Sequence, residues 1–374
     1  MIRVIHIVSN ISRNDGIMSI MMNLNRNIDK NELLFDFITF NVPEINYLDE
    51  IESLGGKVYD LSKVKKMSLY YEISRIFSME IKYNTIHIHS LNYGILPILI
   101  SKKYNILNRI VHSHSTKSSS QLLKRIRNAV INRIVLLYAN KYIACSDTAA
   151  EYLFNRKIIE NKKVFILNNA IDCNEFSFCT EKRKNTRNKF GIKNEFVVGH
   201  VGRFSKEKNH EFIVKVFFEI LKINECSRLL LIGDGPTKSK IMKLTEMLNI
   251  QDKVTFAGTL NDTSSIYSAI DLLIFPSFFE GVPLVLVEAQ ACDTPCIVSE
   301  KITADIQINS NYEIMKLIDA PQNWAQKIIR MNVRNKRNSK KDSIARAGYC
   351  IKDSSKKIQD YYNNLKMDSE NIWE

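Results

Sequence analysis

Residues 196–223 read FVVGHVGRFSKEKNHEFIVKVFFEILKI. A short β-branched run, Phe196–Val201, stops at Gly202, and an amphipathic stretch, Glu211–Ile223, follows a loop with cations at Arg203, Lys206 and Lys208. This is a strand, a turn and a helix in succession. The same alternation continues downstream through Arg228–Ile232, Lys238–Leu248, Val254–Ala257, Thr263–Ala269, Leu272–Phe275, Pro283–Ala291 and Pro295–Val298. Alternating βα units predict a parallel sheet covered by helices on both faces.

Upstream the pattern repeats. Strand candidates are Val4–Ser9, Phe35–Phe40, Lys57–Asp60, Thr85–His89, Arg109–His112, Lys141–Ala144 and Lys163–Leu167, with amphipathic segments such as Met18–Asn27, Leu48–Leu54 and Asp147–Phe154 between them. Between the two series, residues 168–185 keep no period, which suits a linker. The reading is an α/β chain of two Rossmann-like domains facing across a cleft. Residues 1–170 form the first domain, 171–185 the linker and 186–350 the second domain. A C-terminal helix within 351–374 is expected to pack back toward the first.

Composition bounds the rest. A chain of 374 residues suits two domains, and 45% hydrophobic with 25% charged residues is ordinary globular usage. The longest apolar runs, such as Gly94–Ile100, fall far short of a membrane span. Met1–Val8 lacks the apolar core of a signal peptide and reads as a first strand, so a cytoplasmic location is expected. The seven cysteines are scattered without a Cys-x-x-Cys, which favours neither a disulfide framework nor zinc. Net charge is +13, and no acid occurs between Glu80 and Asp147, a stretch holding ten cations from Lys82 through Lys117, Lys124 and Arg125 to Lys141. Within it, Leu122–Leu137 reads as a basic amphipathic helix. That fits peripheral docking on an anionic membrane surface and equally fits a solvated helix. The basic run Arg334–Lys341 reads as a solvated helix face.

Ligands of open parallel sheets bind at the carboxyl ends of the strands, where four clusters stand out. Gly202-Arg203 with Lys208 offers close backbone approach and two cations for phosphate oxygens; alone, it also fits a surface turn. In Pro276–Glu288, Pro283 suits the first position of a helix, so the amides of Gly281–Leu284 would face an anion. Glu280 precedes that helix, and Glu288 lies in its otherwise apolar run, where ribose hydroxyls or a salt bridge would satisfy it. Gly233-Asp234-Gly235-Pro236 is a turn that would let backbone meet a flat base, or simply a left-handed turn. Finally, His87, His89, His112 and His114 pair up at two strand ends, with Ser115 beyond them. Neither pair has a carboxylate beside it and no Asp-x-Asp occurs, so no metal is expected. Asn14-Asp15-Gly16-Ile17 is a flexible turn able to touch a donor.

Together these residues resemble glycosyltransferase family 4, retaining enzymes of the GT-B fold, and within it bacterial capsule, exopolysaccharide and O-antigen enzymes. The resemblance covers nearly the whole chain and rests on Glu280-x7-Glu288, Gly202-Arg203 with Lys208, Gly233-x-Gly235-Pro236, Asn169-Ala170-Ile171-Asp172 and Ala144-Cys145-Ser146. It implies a hexosyltransferase acting on a nucleotide-diphosphate-sugar, with no cofactor or metal. Arg203 and Lys208 would hold the diphosphate, and Gly233, Gly281 and Leu284 would line the donor site. Glu288 would hold the ribose and Glu280 the donor sugar. His114 matches the family's active-site histidine, and His89 the one on the neighbouring strand. The usual Gly-Gly of the first loop is Asp15-Gly16 here, so only Gly16 carries over as a donor contact. The implied acceptor is a glycan or lipid-linked glycan. A nucleotide-sugar epimerase or hydrolase of the same architecture is the alternative. A nucleic-acid-binding role is set aside because no aromatic-basic recognition motif is present.

Overall fold

A computed structural model describes residues 1–13, 15–114, 122–161, 163–260, 262–302, 306–331 and 337–370, with the side chains of 122–125 and 367–370 outside the description. Asn14, Ser115, Lys117 and Arg334, together with the side chains of Lys124 and Arg125, therefore lie outside the described residues. The chain divides into two compact units, Met1–Ala170 with Ile351–Glu374, and Ile171–Cys350.

The first unit is built on a seven-stranded sheet. Its strands are β1 (Ile2–Val8), β2 (Leu33–Thr39), β3 (Val58–Asp60), β4 (Thr85–Ile88), β5 (Asn108–Ser113), β6 (Lys141–Ala144) and β7 (Val164–Ile166), in the order β3-β2-β1-β4-β5-β6-β7. Neighbours pair in parallel, with His6 opposite His87 across β1 and β4. Chain order reverses between β1 and β4, which makes their carboxyl ends the switch point where such sheets bind ligands. The C-terminal helix Ile351–Glu370 belongs to this unit. Ile351, Ile358, Tyr362 and Leu365 recur at helical spacing and are buried in one core with Phe35 and Ile110. Burying each such side chain contributes roughly 1.5–3 kcal/mol before chain entropy is subtracted.

The second unit carries a six-stranded sheet of β8 (Phe196–Val201), β9 (Ser227–Ile232), β10 (Val254–Gly258), β11 (Leu272–Phe275), β12 (Cys296–Ser299) and β13 (Tyr312–Met315), ordered β10-β9-β8-β11-β12-β13 and again parallel. Side-chain alternation along each strand supplies two cores. Val198, Leu229, Leu231 and Ile274 pack with helices His210–Ile223 and Pro321–Arg330 on one face. Val197, Leu230, Ile232 and Phe275 pack with Leu286 and Val287 on the other. The switch point here lies between β8 and β11.

The expected linker at 171–185 is not a free connection. Ile171 and Cys173 are buried in the second unit's core, and Thr180–Lys189 is a helix. Strand β13 and the helices Leu69–Phe77 and Leu91–Lys103 were not anticipated from the sequence.

Candidate functional site

In the second unit the loops after β8 and β11 meet at the switch point. The amide of Phe278 donates to the Glu207 carbonyl at 2.9 Å, and the Asn209 side chain donates to the Pro276 carbonyl at 3.2 Å. Lys208 Nζ then stands 2.8 Å from Glu280 Oε1, both side chains 15% exposed, and lies 4.8 Å above the Phe275 ring. Two sequence-predicted residues, 72 positions apart, are thus brought together by the sheet topology. Arg203 is exposed, and among the described residues its side chain makes no hydrogen bond or ion pair. It is a cation with its donors uncommitted.

The glycine turn after β9 has a structural reason of its own. Gly233 has φ +130°, and a Cβ there would sit 2.1 Å from the Gly202 carbonyl; at Gly235, with φ +154°, it would sit 2.4 Å from the Phe204 carbonyl. The Phe204 amide donates to the Asp234 carbonyl at 2.9 Å, so this turn supports the Arg203 loop from below. The direction a side chain would take at these two glycines is filled by the chain's own backbone, while both residues stay partly exposed.

Pro283 is the residue before helix Leu284–Ala291 rather than its first position, with φ −76° and ψ 95°. It supplies no side-chain cap, so the first-turn amides lack a side-chain acceptor, as an anion site requires. Glu288, on the same helix, accepts a hydrogen bond from the Tyr267 hydroxyl at 2.6 Å. Burial pushes its carboxyl up to about 7, the Tyr267 hydrogen bond opposing that rise and the Glu175 carboxylate adding to it. Tyr267 was not singled out in the sequence.

In the first unit, Asp15 caps the helix Gly16–Asn27 by accepting from the Met18 amide at 2.9 Å, so the expected flexible turn is a helix start. A Cβ at Gly16 would meet nothing within 4 Å. The pocket beside it, ≈ 240 Å³, is lined by Ile17, His89, Ser90, Asn92, His112 and His114. His6, His87, His89, His112 and His114 lie on one face because alternate residues of β1, β4 and β5 point the same way. His6 Nδ1 lies 2.9 Å from His89 Nε2, and His89 Nδ1 lies 2.8 Å from His114 Nε2. His87 Nδ1 meets the Tyr362 hydroxyl at 2.6 Å. Burial drives the rings below their usual pKa, His6 and His114 to about 3, so they are neutral near pH 7.

The missing carboxylate is not enough to set metal aside, since imidazoles alone can ligate one. The ring nitrogens of His6, His87 and His89, and those of His89, His112 and His114, lie within 4.8 Å of one another. The His112 and His114 rings stack at 3.8 Å with 28° between planes, so their in-plane lone pairs run side by side rather than converging. His6 was legible only as part of the first strand; its place beside His89 needed the strand order.

Several comparisons bear on this arrangement. The family described as Glycosyltransferase Family 4 matches residues 39–175, and that described as Glycosyl transferases group 1 matches residues 182–347. EpsF of Bacillus subtilis (strain 168), named a glycosyltransferase, is 29% identical over 96% of both chains. The capsular polysaccharide biosynthesis glycosyltransferase CapH of Staphylococcus aureus is 27% identical over 92% of this chain and 94% of its own. An Escherichia coli UDP-Gal:alpha-D-GlcNAc-diphosphoundecaprenol alpha-1,3-galactosyltransferase is 25% identical over 64% of this chain and 63% of its own. Among solved structures, Anabaena HepE in complex with UDP and glucose superposes with a TM-score of 0.77 at 15% identity, covering 97% of this chain and 100% of that one. That likeness establishes the two-domain GT-B fold. Among the described residues, no helix is long and apolar enough to cross a membrane.

Proposed function

Because the chain belongs to glycosyltransferase family 4 and is a glycosyltransferase of polysaccharide or glycoconjugate biosynthesis, we propose that it moves a sugar from a nucleotide-diphosphate-sugar to a glycan or lipid-linked glycan. Transfer proceeds with retention and without a divalent metal at the phosphates. The observation that carries the reading is the Lys208–Glu280 pair at the switch point of the second sheet, with the uncommitted Arg203 on the same loop as Lys208. The matches favour transfer and lend the epimerase or hydrolase alternative no support.

Cleaving a glycosyl–phosphate bond leaves negative charge on the diphosphate while positive charge grows on the sugar ring. Arg203, Lys208 and the first amides of helix Leu284–Ala291 stabilise the departing diphosphate, the work a metal ion would otherwise do. Lys208 is held ready by Glu280, whose carboxylate is available to the sugar once phosphate oxygens take over the ammonium. Glu288 exchanges Tyr267 for ribose hydroxyls. UDP with glucose is bound by the solved neighbour, and a diphosphoundecaprenol-linked sugar is named as the acceptor of one relative; both chemistries fit this reading.

On this reading the acceptor side docks at the cytoplasmic membrane surface. Helix Leu122–Tyr138 exposes Ile126, Val130 and Leu137 at 56%, 55% and 78%, with Arg127 and Arg133 also exposed. Apolar and cationic side chains on one exposed helix suit an anionic bilayer surface.

The deciding experiment incubates the protein with a panel of isotope-labelled nucleotide-sugars and candidate glycan or polyprenyl-diphosphate-sugar acceptors, with and without chelator. Mass analysis should find label joined to acceptor, and the anomeric proton coupling of product should match that of donor. Free labelled sugar or an isomerised donor as the sole product refutes transfer. A rate abolished by chelation and restored by a divalent ion refutes the metal-free clause alone.

A further inference from the structure

Helix Leu122–Tyr138 also borders a groove. One of its stripes, Ala129, Asn132, Arg133, Leu136 and Leu137, has the spacing i, i+3, i+4, i+7 and i+8 and lines one side of a space of ≈ 630 Å³. The other side comes from Leu153, Phe154, Lys157 and Ile158, and from Lys163 just before β7. All of these residues belong to the first unit. The base is apolar. The buried Tyr142 and Phe154 rings meet edge-on at 5.3 Å, and the Tyr142 hydroxyl donates to the Ala139 carbonyl at 3.2 Å.

The charge around that base has one sign. Arg133, Lys157 and Lys163 line the groove, and no carboxylate does. Among the described residues none of these three side chains makes a hydrogen bond or ion pair, whereas the neighbouring Arg156 is paired with Glu160 at 2.7 Å. Uncommitted cations around an apolar trough suit an amphiphile with an anionic head. Its hydrocarbon leaves water for the trough, and its phosphate oxygens accept from the guanidinium and ammonium groups.

The groove leads somewhere. Asn132 and Leu153 also line the pocket beside His89 and His114, so the two spaces adjoin. Along helix Leu122–Tyr138 the lining changes in order. Asn128 and Asn132 line the pocket, Arg133 follows, and Leu136 and Leu137 come last, the whole run rising about 14 Å. A neutral polar pocket, a cation and an apolar trough in that sequence match a sugar, a phosphate and a hydrocarbon in the same sequence. A membrane phospholipid would take the cation and the trough but leave the pocket unused. Arg133 and Leu137 are exposed and continue the stripe of Ile126 and Val130, so the trough lies next to the face proposed to meet the bilayer.

We propose that this groove holds the phosphate-bearing lipid stem of a lipid-linked sugar, with the sugar itself in the adjoining pocket. The inference rests on the proposed transfer to a glycan or lipid-linked glycan, and it narrows that acceptor to the lipid-linked class. A free glycan would leave Arg133 and the trough without a role. Every contact it invokes lies within the first unit.

The test follows binding rather than turnover, with the full chain in buffer free of detergent and vesicles. Excess UDP is present throughout to keep the probe off the second unit. A photoreactive farnesyl diphosphate should crosslink within residues 129–163. Unlabelled farnesyl diphosphate should displace it at least about tenfold better than farnesol or a short-chain phosphatidylglycerol. Arg133→Gln, and Lys157→Gln combined with Lys163→Gln, should each weaken binding about tenfold at unchanged melting temperature, all three side chains being exposed. Crosslinks outside this segment overturn the proposal, and so does an affinity unmoved by the substitutions. Equal competition by phosphatidylglycerol also overturns it, and marks the groove as a site for membrane lipid. Binding with these properties but no sugar transfer leaves the groove standing and refutes the transferase reading. Transfer with the same KM to an acceptor lacking the lipid stem does the reverse.

Discussion

The Tyr267 hydroxyl donates to Glu288 Oε2 across 2.6 Å, and that bond compensates a desolvated carboxyl on a helix, Leu284–Ala291, whose other side chains are apolar save Gln290. Glu288 is the residue proposed to hold the ribose, and on that reading the Tyr267 hydroxyl holds a carboxylate oxygen that ribose hydroxyls would take over. The arrangement keeps a desolvated acid in place without a cation beside it.

Its consequence is a pH dependence of donor binding. Hydroxyls of a ribose donate best to the charged carboxylate, which forms only above about pH 7. Affinity for a nucleotide-sugar, whose diphosphate diester does not titrate here, should fall about tenfold from pH 8 to pH 6. Calorimetric titration at both values checks this, and Glu288→Gln should bind more weakly with no pH slope. For folding the sign follows the raised pKa. The folded state holds a proton that the unfolded chain has lost between about pH 4.5 and 7, so stability contributed by Glu288 declines as pH rises through that window. Glu288→Gln should flatten the thermal midpoint across it.

Lys208 is asked to act on charge that develops during reaction, so its loss should appear in kcat more than in KM. Lys208→Ala should lower kcat by about 10²–10³, the range found when one donor to a developing anion is removed. Lys208→Arg should retain part of the rate. Glu280→Gln should lower kcat while leaving nucleotide binding within a few fold, because the ammonium remains and the carboxylate's proposed role is toward the sugar. Equal loss of kcat and nucleotide affinity in Glu280→Gln would remove that residue from the sugar.

The glycines separate structural need from ligand contact. Gly233→Ala places a methyl 2.1 Å from the Gly202 carbonyl at φ +130°, so it should lower the melting temperature sharply or prevent folding. Gly16→Ala opens on empty space at a helix start, and should leave stability unchanged or raise it by up to about 1 kcal/mol. Activity lost in Gly16→Ala at unchanged melting temperature then marks a donor contact at that position.

Helix Leu122–Tyr138 makes a separate claim. If it docks on anionic lipid, each cation near the surface contributes on the order of 1 kcal/mol and salt weakens the effect. Arg127→Glu with Arg133→Glu should abolish salt-sensitive flotation with vesicles containing anionic lipid, while activity on a soluble acceptor stays within about twofold. Flotation equal to that of the unsubstituted chain excludes this helix as the docking face.

Both sheets were legible because their strands carry the code themselves: short, continuous apolar runs rich in β-branched residues, separated by amphipathic stretches of helical period. Lys141–Ala144, Phe196–Val201 and Leu272–Phe275 match to the residue. Lys208 and Glu280 were each found as strand-end residues, but nothing along the chain tells that they touch; that follows from β8 lying beside β11. His6 was missed for the same reason, since its partner His89, just past β4, is 83 residues away. Tyr267 gave no signal because a buried tyrosine in a short helix is ordinary core. The 171–185 segment misled because Thr180–Lys189 is polar on every side. Such a helix reads as a linker unless the partner that its cations need is known.

That partner is Asp271, and it supports the last prediction. Arg183 Nη2 and Arg187 Nη2 each lie 2.6 Å from one of its oxygens, while the Val197 amide donates to it at 2.8 Å. One buried carboxylate thus ties a helix with no apolar face to the first turn of β8 and the start of β11. Its removal leaves the guanidinium groups of Arg183 and Arg187, and that of buried Arg337 at 4.0 Å, with little water to replace it, a change that costs about 3–5 kcal/mol. Asp271→Ala should lower the unfolding midpoint in denaturant accordingly, and Asp271→Asn by less, because its amide oxygen still accepts one hydrogen bond. High salt should not rescue either variant, since a buried pair is poorly screened. Midpoints unchanged in Asp271→Ala would mean the helix is held by something other than its cations.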